Sequence, residues 1–335
     1  MRHQKPVIKT EIIAEIAQGY EGKPVLAELL VKGAITAGAD AVKIQLIYAD
    51  ELCIPEYPYY GLFKSLEMPF SVWQGLERSV RAAKKKLYFD IYGDKSLELA
   101  KKLKADGVKI SATDFYNTDL VNKAFKIFPA IFVSCSGVPY EDLSALVNKF
   151  AKKNNLTLMY GFQAEPTEIK DNHLLRISSL RSMFPNVNIG FMDHSLGSGS
   201  EAFYLPVMAL AQNVSCIEKH ITLDYNLQIE DYISALSVER FAEFVEVIRK
   251  MEPAAGNAEF ELIDKEIAYK KKAGKVVVAK HDLKKGAILT NADLALKRVS
   301  VTTSDTYFYR KEDVTGKKLT RGALMNRPVE NSMIR

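Results

Sequence analysis

Eight short apolar runs separated by helix-length amphipathic stretches, in a chain without a glycine-rich dinucleotide fingerprint, predict an α/β fold: a (β/α)8 (TIM) barrel followed by a small β-rich module. The strand candidates are residues 12–17, 41–46, 87–91, 107–110, 130–134, 156–161, 187–191 and 214–218. Helix-length stretches at 24–37, 71–84, 95–104, 140–153 and 199–212 lie between them, and 237–250 follows the last strand. Short apolar runs alternating with helical periods argue for βαβ units on a parallel sheet. Eight such units within about 250 residues close a barrel more readily than they build an open, doubly wound sheet. The barrel domain is therefore expected over residues 1–252. Residues 253–274 read as a charged linker, and 275–335 as a separate module with β-like pieces at 276–279, 294–298 and 328–329. Lys285-Gly286 and Thr315-Gly316 are its turn signals.

Bulk properties narrow the function. With 47% hydrophobic and 26% charged residues the composition is that of an ordinary soluble globular protein. The net charge of +5 comes from scattered lysines, and the runs at 84–86 and 270–272 read as solvated helix ends or linkers. No aromatic–basic motif or zinc finger accompanies them, so nucleic acid is not an expected partner. Small anionic substrates are compatible, because a few lysines inside a cleft outweigh net charge. Cys53, Cys135 and Cys216 are odd in number and widely spaced, which fits reduced thiols rather than a disulfide framework. The opening residues 1–6 are polar and lack the apolar core of a signal peptide, and no run approaches the roughly 18 apolar residues of a membrane span. The expectation is a cytoplasmic protein with no membrane partner.

A barrel enzyme carries its chemistry at the C-terminal ends of its strands. Here those ends hold Gln18 and Glu21, Lys43 and Gln45, Asp90, Lys109, Ser134, Gln163, Asp193 and His194, and Lys219 and His220. A purely structural barrel would not need a polar group on almost every strand, so an active site is expected there. His194 and His220, on the seventh and eighth strands, can share one divalent cation. His3, His173 and His281 read as surface or linker residues. Lys43 and Lys109, pointing inward, would form a positive pocket for a phosphate or carboxylate. Salt-bridged barrel lysines are one alternative; a Schiff-base lysine, which needs a desolvated amine with a lowered pKa, is another. Glu21 lies in Gly19-Tyr20-Glu21-Gly22, where glycine lets backbone approach a ligand, although a merely solvated loop carboxylate is an equal reading.

The ordered strings Ile12-Ile13-Ala14-Glu15-Ile16-Ala17, Tyr20-Glu21-Gly22 and Ala37-Gly38-Ala39-Asp40-Ala41-Val42-Lys43-Ile44-Gln45 resemble the opening of the N-acetylneuraminate (sialic acid) synthase family. Asp193-His194-Ser195 and Glu218-Lys219-His220-Ile221-Thr222-Leu223-Asp224 resemble its two metal-histidine motifs. Residues 279–329, with Asp282-Leu283-Lys284-Lys285-Gly286 and Leu296-Lys297-Arg298, resemble its antifreeze-like (SAF) domain. The resemblance implies condensation of phosphoenolpyruvate with an open-chain N-acetylated amino sugar of the N-acetylmannosamine kind, giving a 2-keto sugar acid and phosphate. It implies a divalent metal at His194 and His220, manganese by preference with magnesium or cobalt as alternatives. Lys43 and Lys109 would hold phosphoenolpyruvate, and Glu21 would handle a proton near the reacting carbons. Gln45, Asp90, Asp114, Ser134 and Gln163 would line the substrate site, and Asp231 would contact the acceptor sugar. Arg298 would reach from the SAF domain into the active site of the second subunit, making a homodimer the functional unit.

Departures from the family pattern fall mostly on the donor side. Gly19-Tyr20 stands where the family has Asn-His, Asp90-Ile91-Tyr92-Gly93 where it has Ser-Thr-Pro-Phe, and Ala112 and Met192 where it has serines. Gly161-Phe162-Gln163 replaces a hydroxyl-bearing run. Each lost hydrogen bond to a charged group costs about 1.5–3 kcal/mol. Either Asp90, Tyr92 and Gln163 rebuild the donor site, or the chain is a metal-dependent aldolase or lyase using pyruvate or another donor; a catalytically silent paralogue is the third alternative.

Overall fold

The computed structural model describes residues 9–150, 155–256, 260–300 and 306–335. His3 and the polar opening segment lie outside the described residues. The chain forms two compact units, Met1–Asn257 and Ala258–Arg335.

In the first unit eight parallel strands follow one another around a closed ring: β1 Glu11–Ala17, β2 Ala41–Gln45, β3 Lys86–Ile91, β4 Gly107–Ile110, β5 Ile131–Ser134, β6 Leu156–Tyr160, β7 Asn188–Asp193 and β8 Cys216–Thr222. β1 pairs with β8, so no edge remains. The strands are buried on both faces, which is why most read as continuous apolar runs rather than as alternating ones. The helices α1 Pro24–Thr36, α2 Ala49–Leu52, α3 Tyr60–Ser65, α4 Phe70–Ala82, α5 Asp94–Lys102, α6 Thr118–Ile127, α7 Tyr140–Phe150, α8 Leu175–Met183, α9 Glu201–Leu210 and α10 Val238–Ala255 accompany them. A short β9, Leu236–Ser237, adds to the end of β8. The start of β1 is pinned from the far end of the domain: Glu252 of α10 accepts the Thr10 N–H at 2.8 Å.

Inside the barrel the side chains stack in layers, because inward positions recur every second residue. The lower layer is apolar: Ile13, Ala41, Tyr88, Phe132, Met159, Met192 and Cys216 form one buried cluster. Two residues on, along five of those strands, come Glu15, Lys43, Asp90, Ser134 and Glu218, with Lys109 on β4; all six are buried. On β1, β2, β3 and β8 the barrel thus changes from hydrocarbon to charge within one step along the strand.

β8 runs to Thr222, four residues past the expected end at 218. Lys219 and His220 break the apolar run in the sequence, yet both are buried, Lys219 on the outer face of the sheet and His220 on the inner.

The second unit starts with a helix where a linker was expected: α11 spans Asp264–Ala273. Its residues are polar but good helix formers; Glu266 accepts the Ile263 N–H, acids occupy the first turn and Lys270, Lys271 and Lys272 the last, matching the helix dipole. β10 Val276–Ala279 and β11 Leu294–Lys297 then pair antiparallel, and Val278 bridges to Pro328. Val277, Leu289, Leu294, Val314, Leu319 and Val329 make a small core of their own. Gly286 (φ 90°) and Gly316 (φ 84°) take left-handed turn conformations at the two turn signals.

Candidate active site

At the upper end of the barrel the polar layer is an ion lattice. Lys43 Nζ contacts the Glu15 carboxylate, Asp90 Oδ2 at 2.8 Å and Glu218 Oε1 at 3.5 Å. Lys109 Nζ lies 2.6 Å from Glu218 Oε1 and 3.6 Å from Asp90 Oδ2. None of the five side chains is more than 5% exposed. Two ammonium groups among three carboxylates leave the lattice with one net negative charge. Burial lowers the Lys43 pKa to about 8, against the pull of Asp90 and Glu218. Burial also disfavours the charge of Lys109, but there Asp90 and Glu218 win and its pKa rises. Glu218, desolvated as it is, stays ionised because Lys109 and Lys43 face it. The two lysines therefore do not form an open positive pocket. They are the salt-bridged lysines that stood as the alternative.

Glu15 also shapes the backbone. Its Oε1 accepts the Ala17 N–H at 2.6 Å, where the β1–β2 register slips and Ala17 takes φ 49°.

Directly beside the lattice stand His194 and His220, their ring centroids 5.2 Å apart. Burial, and then Lys109, lowers the His194 pKa to about 4; burial, then His194 and Lys43, lowers that of His220 well below the usual value. Both rings are neutral at pH 7, and the buried Nδ1 of each has no hydrogen-bond partner. Two neutral imidazoles with unused nitrogens fit a divalent cation. Among the described residues no cluster of three or more His, Cys, Asp or Glu side chains could hold a metal. The chain would therefore supply two nitrogens and leave the other coordination places to substrate and water.

The outward neighbours of these histidines are tied together. Asp193 pairs with Lys219 in the β7–β8 register; the two side chains meet at 2.8 Å and both are 0% exposed. Lys219 also donates to the Ser195 carbonyl at 3.1 Å, and Asp193 accepts both the N–H and the Oγ–H of Ser195 at 3.0 Å. Asp193 and Lys219, which the strand-end reading placed in the site, thus face away from it and brace the strand ends that present His194 and His220. The His194 carbonyl is held in turn by Ser234 Oγ at 2.9 Å and the Thr167 N–H at 2.8 Å.

The remaining sequence-derived residues spread over the mouth. Gln45 Oε1 accepts from Gln18 at 3.0 Å, and the Gln18 N–H donates to Asp231 Oδ2 at 3.3 Å. Asp231 has φ 66° and a pKa raised by burial. Ser134 Oγ, at the end of β5, is buried without a partner, as is Asp90 Oδ1. Asp114 sits in the turn after β4, where burial raises its pKa and Thr113 donates to it at 3.0 Å. Gln163 is exposed on the loop after β6, its Nε2 4.0 Å from the Met192 sulfur. Glu21 (φ 47°) pairs with Lys23 at 2.7 Å and takes no part in the lysine lattice. Arg298 is exposed in the second unit and donates to the Ala273 carbonyl at 2.9 Å. His173 and His281 are exposed, the latter 3.1 Å from Asp293.

Three acids escaped the sequence reading of the site, and Tyr92, which that reading offered with Asp90 and Gln163 as rebuilding the donor site, stands among acids. Glu15 and Glu218 lie two residues beyond the inward Ile13 and Cys216, so strand period alone marks them. Tyr92 is buried among Asp90, Asp114 and Asp231, and burial first, then these acids, raises its pKa. Glu165 keeps an exposed edge but is hydrogen-bonded to Asp231; burial, then Asp231, raises its pKa to about 8. Nothing in its local sequence signals that pairing.

Comparison with known proteins places this geometry. The model described as NeuB family matches residues 30–260, and the SAF domain model matches 274–335. Pseudaminic acid synthase from Campylobacter jejuni is 27% identical over 329 residues, 93% of either chain. Human N-acetylneuraminate-9-phosphate synthase is 28% identical over 328 residues, 92% of this chain and 88% of that one. Among solved structures, the N-acetylneuraminic acid (sialic acid) synthetase of Leptospira borgpetersenii superposes with a TM-score of 0.72 at 24% identity, over 80% of this chain and 93% of that one.

Proposed function

The chain belongs to the NeuB family, and from that premise we propose that it is a sialic-acid-type synthase: a metal-dependent transferase that condenses phosphoenolpyruvate with an N-acetylated amino sugar of the N-acetylmannosamine kind, releasing phosphate. The observation that carries the reading is the pair of neutral, unpartnered imidazoles, His194 and His220, set beside two buried lysines at one end of a barrel. A divalent cation, manganese by preference, would be held by these two histidines and would supply polarisation of the acceptor carbonyl.

The chain's own groups do the rest. Lys109 and Lys43 receive the donor anion by exchanging carboxylate partners for it, Lys109 first because only its side chain keeps measurable exposure, 5% against 0%. Ser134 Oγ, buried without a partner, is a hydroxyl of that layer free to donate to the anion. At the mouth, Glu165 and Asp231 share a proton between two carboxyl groups and are placed to hold or accept one from a sugar hydroxyl. Glu21, half-buried beside Lys23, would need to leave that pair to act on a proton near the reacting carbons. Arg298, with its Nε alone engaged among the described residues, is proposed to complete the acceptor site of a second subunit in a cytoplasmic homodimer; mixing Arg298→Ala with Glu218→Gln protein should restore activity if sites are shared. For the barrel, no described helix is long and apolar enough to cross a membrane.

The test is phosphate release from phosphoenolpyruvate with manganese and a panel of N-acetylated hexosamines and diamino-hexoses. Release that is abolished by chelator and by His220→Ala supports the reading; no release across the panel refutes it. One observation favours a second reading. Three carboxylates already neutralise both lysines, which suits a donor with less negative charge than phosphoenolpyruvate. Turnover with pyruvate in the same assay would select that aldolase or lyase activity.

A further inference from the structure

We propose that the base of the barrel, at the end opposite the two histidines, is a second ligand site for a small hydroxylated carboxylate of the sugar-acid class. The choice of ligand class rests on the synthase reading; the site itself does not.

The strand starts open onto a cavity of about 570 Å³, a size typical of small-molecule sites. A barrel base that serves stability alone would be filled by apolar side chains. This one is polar and divided. On the side of β1 to β3, Lys9, Lys84 and Lys86 face Glu11 and Asp40. Asp40 is already satisfied from behind by Arg249 and by the Ile12 N–H at 2.9 Å, so its 2.7 Å contact with Lys9 can be given up. Glu11 likewise accepts the Tyr88 hydroxyl at 3.0 Å besides Lys86 at 2.7 Å. Lys84 makes no ion pair among the described residues. The excess charge is positive, and it sits on long side chains that can turn toward an anion.

On the side of β6 to β8 the wall is uncharged and hydrogen-bonding: Asn155, Thr157, Asn188 and Ser215. Asn155 donates its Nδ2 to the Phe128 carbonyl at 3.2 Å, while its Oδ1 is buried with no donor. The floor is the edge-to-face pair Tyr88 and Phe132, ring centroids 4.8 Å apart, a surface for an apolar sugar face or an acetyl methyl. A carboxylate on the lysines, hydroxyls on the amide wall and a methyl on the floor together describe a sugar acid.

The position gives occupancy a consequence. Tyr88 and Asp90 are successive inward residues of β3, as Cys216 and Glu218 are of β8. Two residues along a strand span about 6.6 Å, so a ligand on the floor lies one side-chain layer from the ion lattice. A product acid bound there would slow turnover without entering the active site.

Titration calorimetry with N-acetylneuraminate tests this on the full chain, the Lys84→Glu and Lys86→Glu variants, and His220→Ala. Both lysines are exposed. Lys84 has no ion pair among the described residues, so its reversal leaves folding and basal turnover intact; the Lys86 reversal, which faces Glu11, is read once thermal unfolding shows that variant folded. Expected are binding that persists in His220→Ala, weakens about tenfold or more in each lysine variant, and is at least tenfold weaker for N-acetylmannosamine, which lacks the carboxylate. No binding at millimolar ligand, or binding lost in His220→Ala and indifferent to both reversals, overturns the proposal. Phosphate release by the unaltered protein is read separately, so a silent base with an active enzyme and an occupied base without turnover are distinct results.

Discussion

Replacing Lys219 by methionine removes the positive half of an ion pair in which both partners are fully buried. Methionine matches the lysine stem in length, so the volume is kept and the charge is lost. Asp193 is then left in the sheet–helix layer with only the Ser195 N–H and Oγ–H as partners, and the Ser195 carbonyl loses its donor at 3.1 Å. Breaking one side of a buried pair costs about 3–5 kcal/mol. Asp193→Asn should cost a similar amount by stranding the ammonium, whose pKa burial already lowers. The double variant should be less destabilised than the two losses added, with a coupling of about 1–3 kcal/mol. The chain has a single tryptophan, Trp73 in α4, buried in the barrel unit, so its fluorescence during urea unfolding reports that unit. Because the pair ties the two strand ends that carry His194 and His220, manganese affinity of the folded single variants should fall as well. Single variants within about 1 kcal/mol of wild type, or losses that simply add, would refute the brace.

Glu218→Gln takes the lattice from one net negative charge to zero and frees Lys109 from its 2.6 Å partner; phosphate binding measured by equilibrium dialysis should tighten by about tenfold, roughly 1.4 kcal/mol, while turnover falls. Asp231→Asn should bring the Glu165 pKa down from about 8 toward its ordinary value, as read by carbon NMR of the side-chain carboxyl. The sign for stability follows: a carboxyl whose folded pKa is raised stabilises below the unfolded value near 4.5, and that contribution is lost as pH rises through 8. Since Glu165 is partly exposed, the stability change should be small, and the acceptor KM rather than the melting point should report it. Gly197→Ala would put a Cβ 1.8 Å from the Ala235 carbonyl oxygen; forcing the two loops apart should cost about 1–3 kcal/mol and lower metal affinity, because Ser234 holds the His194 carbonyl.

How much of this was legible in the sequence depends on which physical rule governed each residue. The barrel strands were, because burial on both faces forces apolar runs such as residues 130–133, and residues 41–46 depart from that only at the inward Lys43 and Gln45. α11 was missed because it buries none of its residues; its helix rests on local propensity and charge order, which a search for apolar periodicity cannot see. The two histidines were found from the same rule that places chemistry at strand ends. Their neighbours were misread, since Asp193 and Lys219 occupy the opposite parity and only the pleat decides which face a residue serves. Parity also marks Glu15 and Glu218, which lie inside the expected strands 12–17 and 214–218 on the inward side.

The lysines show where sequence reasoning ends for a physical reason. A lysine at a strand end is cationic either way; whether it offers its charge to a ligand depends on what stands across the barrel. Lys109 on β4 meets Glu218 on β8, residues 109 positions apart. No local pattern encodes that contact. It does carry a consequence for the chemistry: with both ammonium groups already paired with carboxylates, an entering anion gains only the difference between its own contacts and those it displaces. The unpartnered hydroxyl of Ser134, which can donate without displacing a carboxylate, then adds to what the lysines can hold of the donor's charge, while the open Asp90 Oδ1 opposes it.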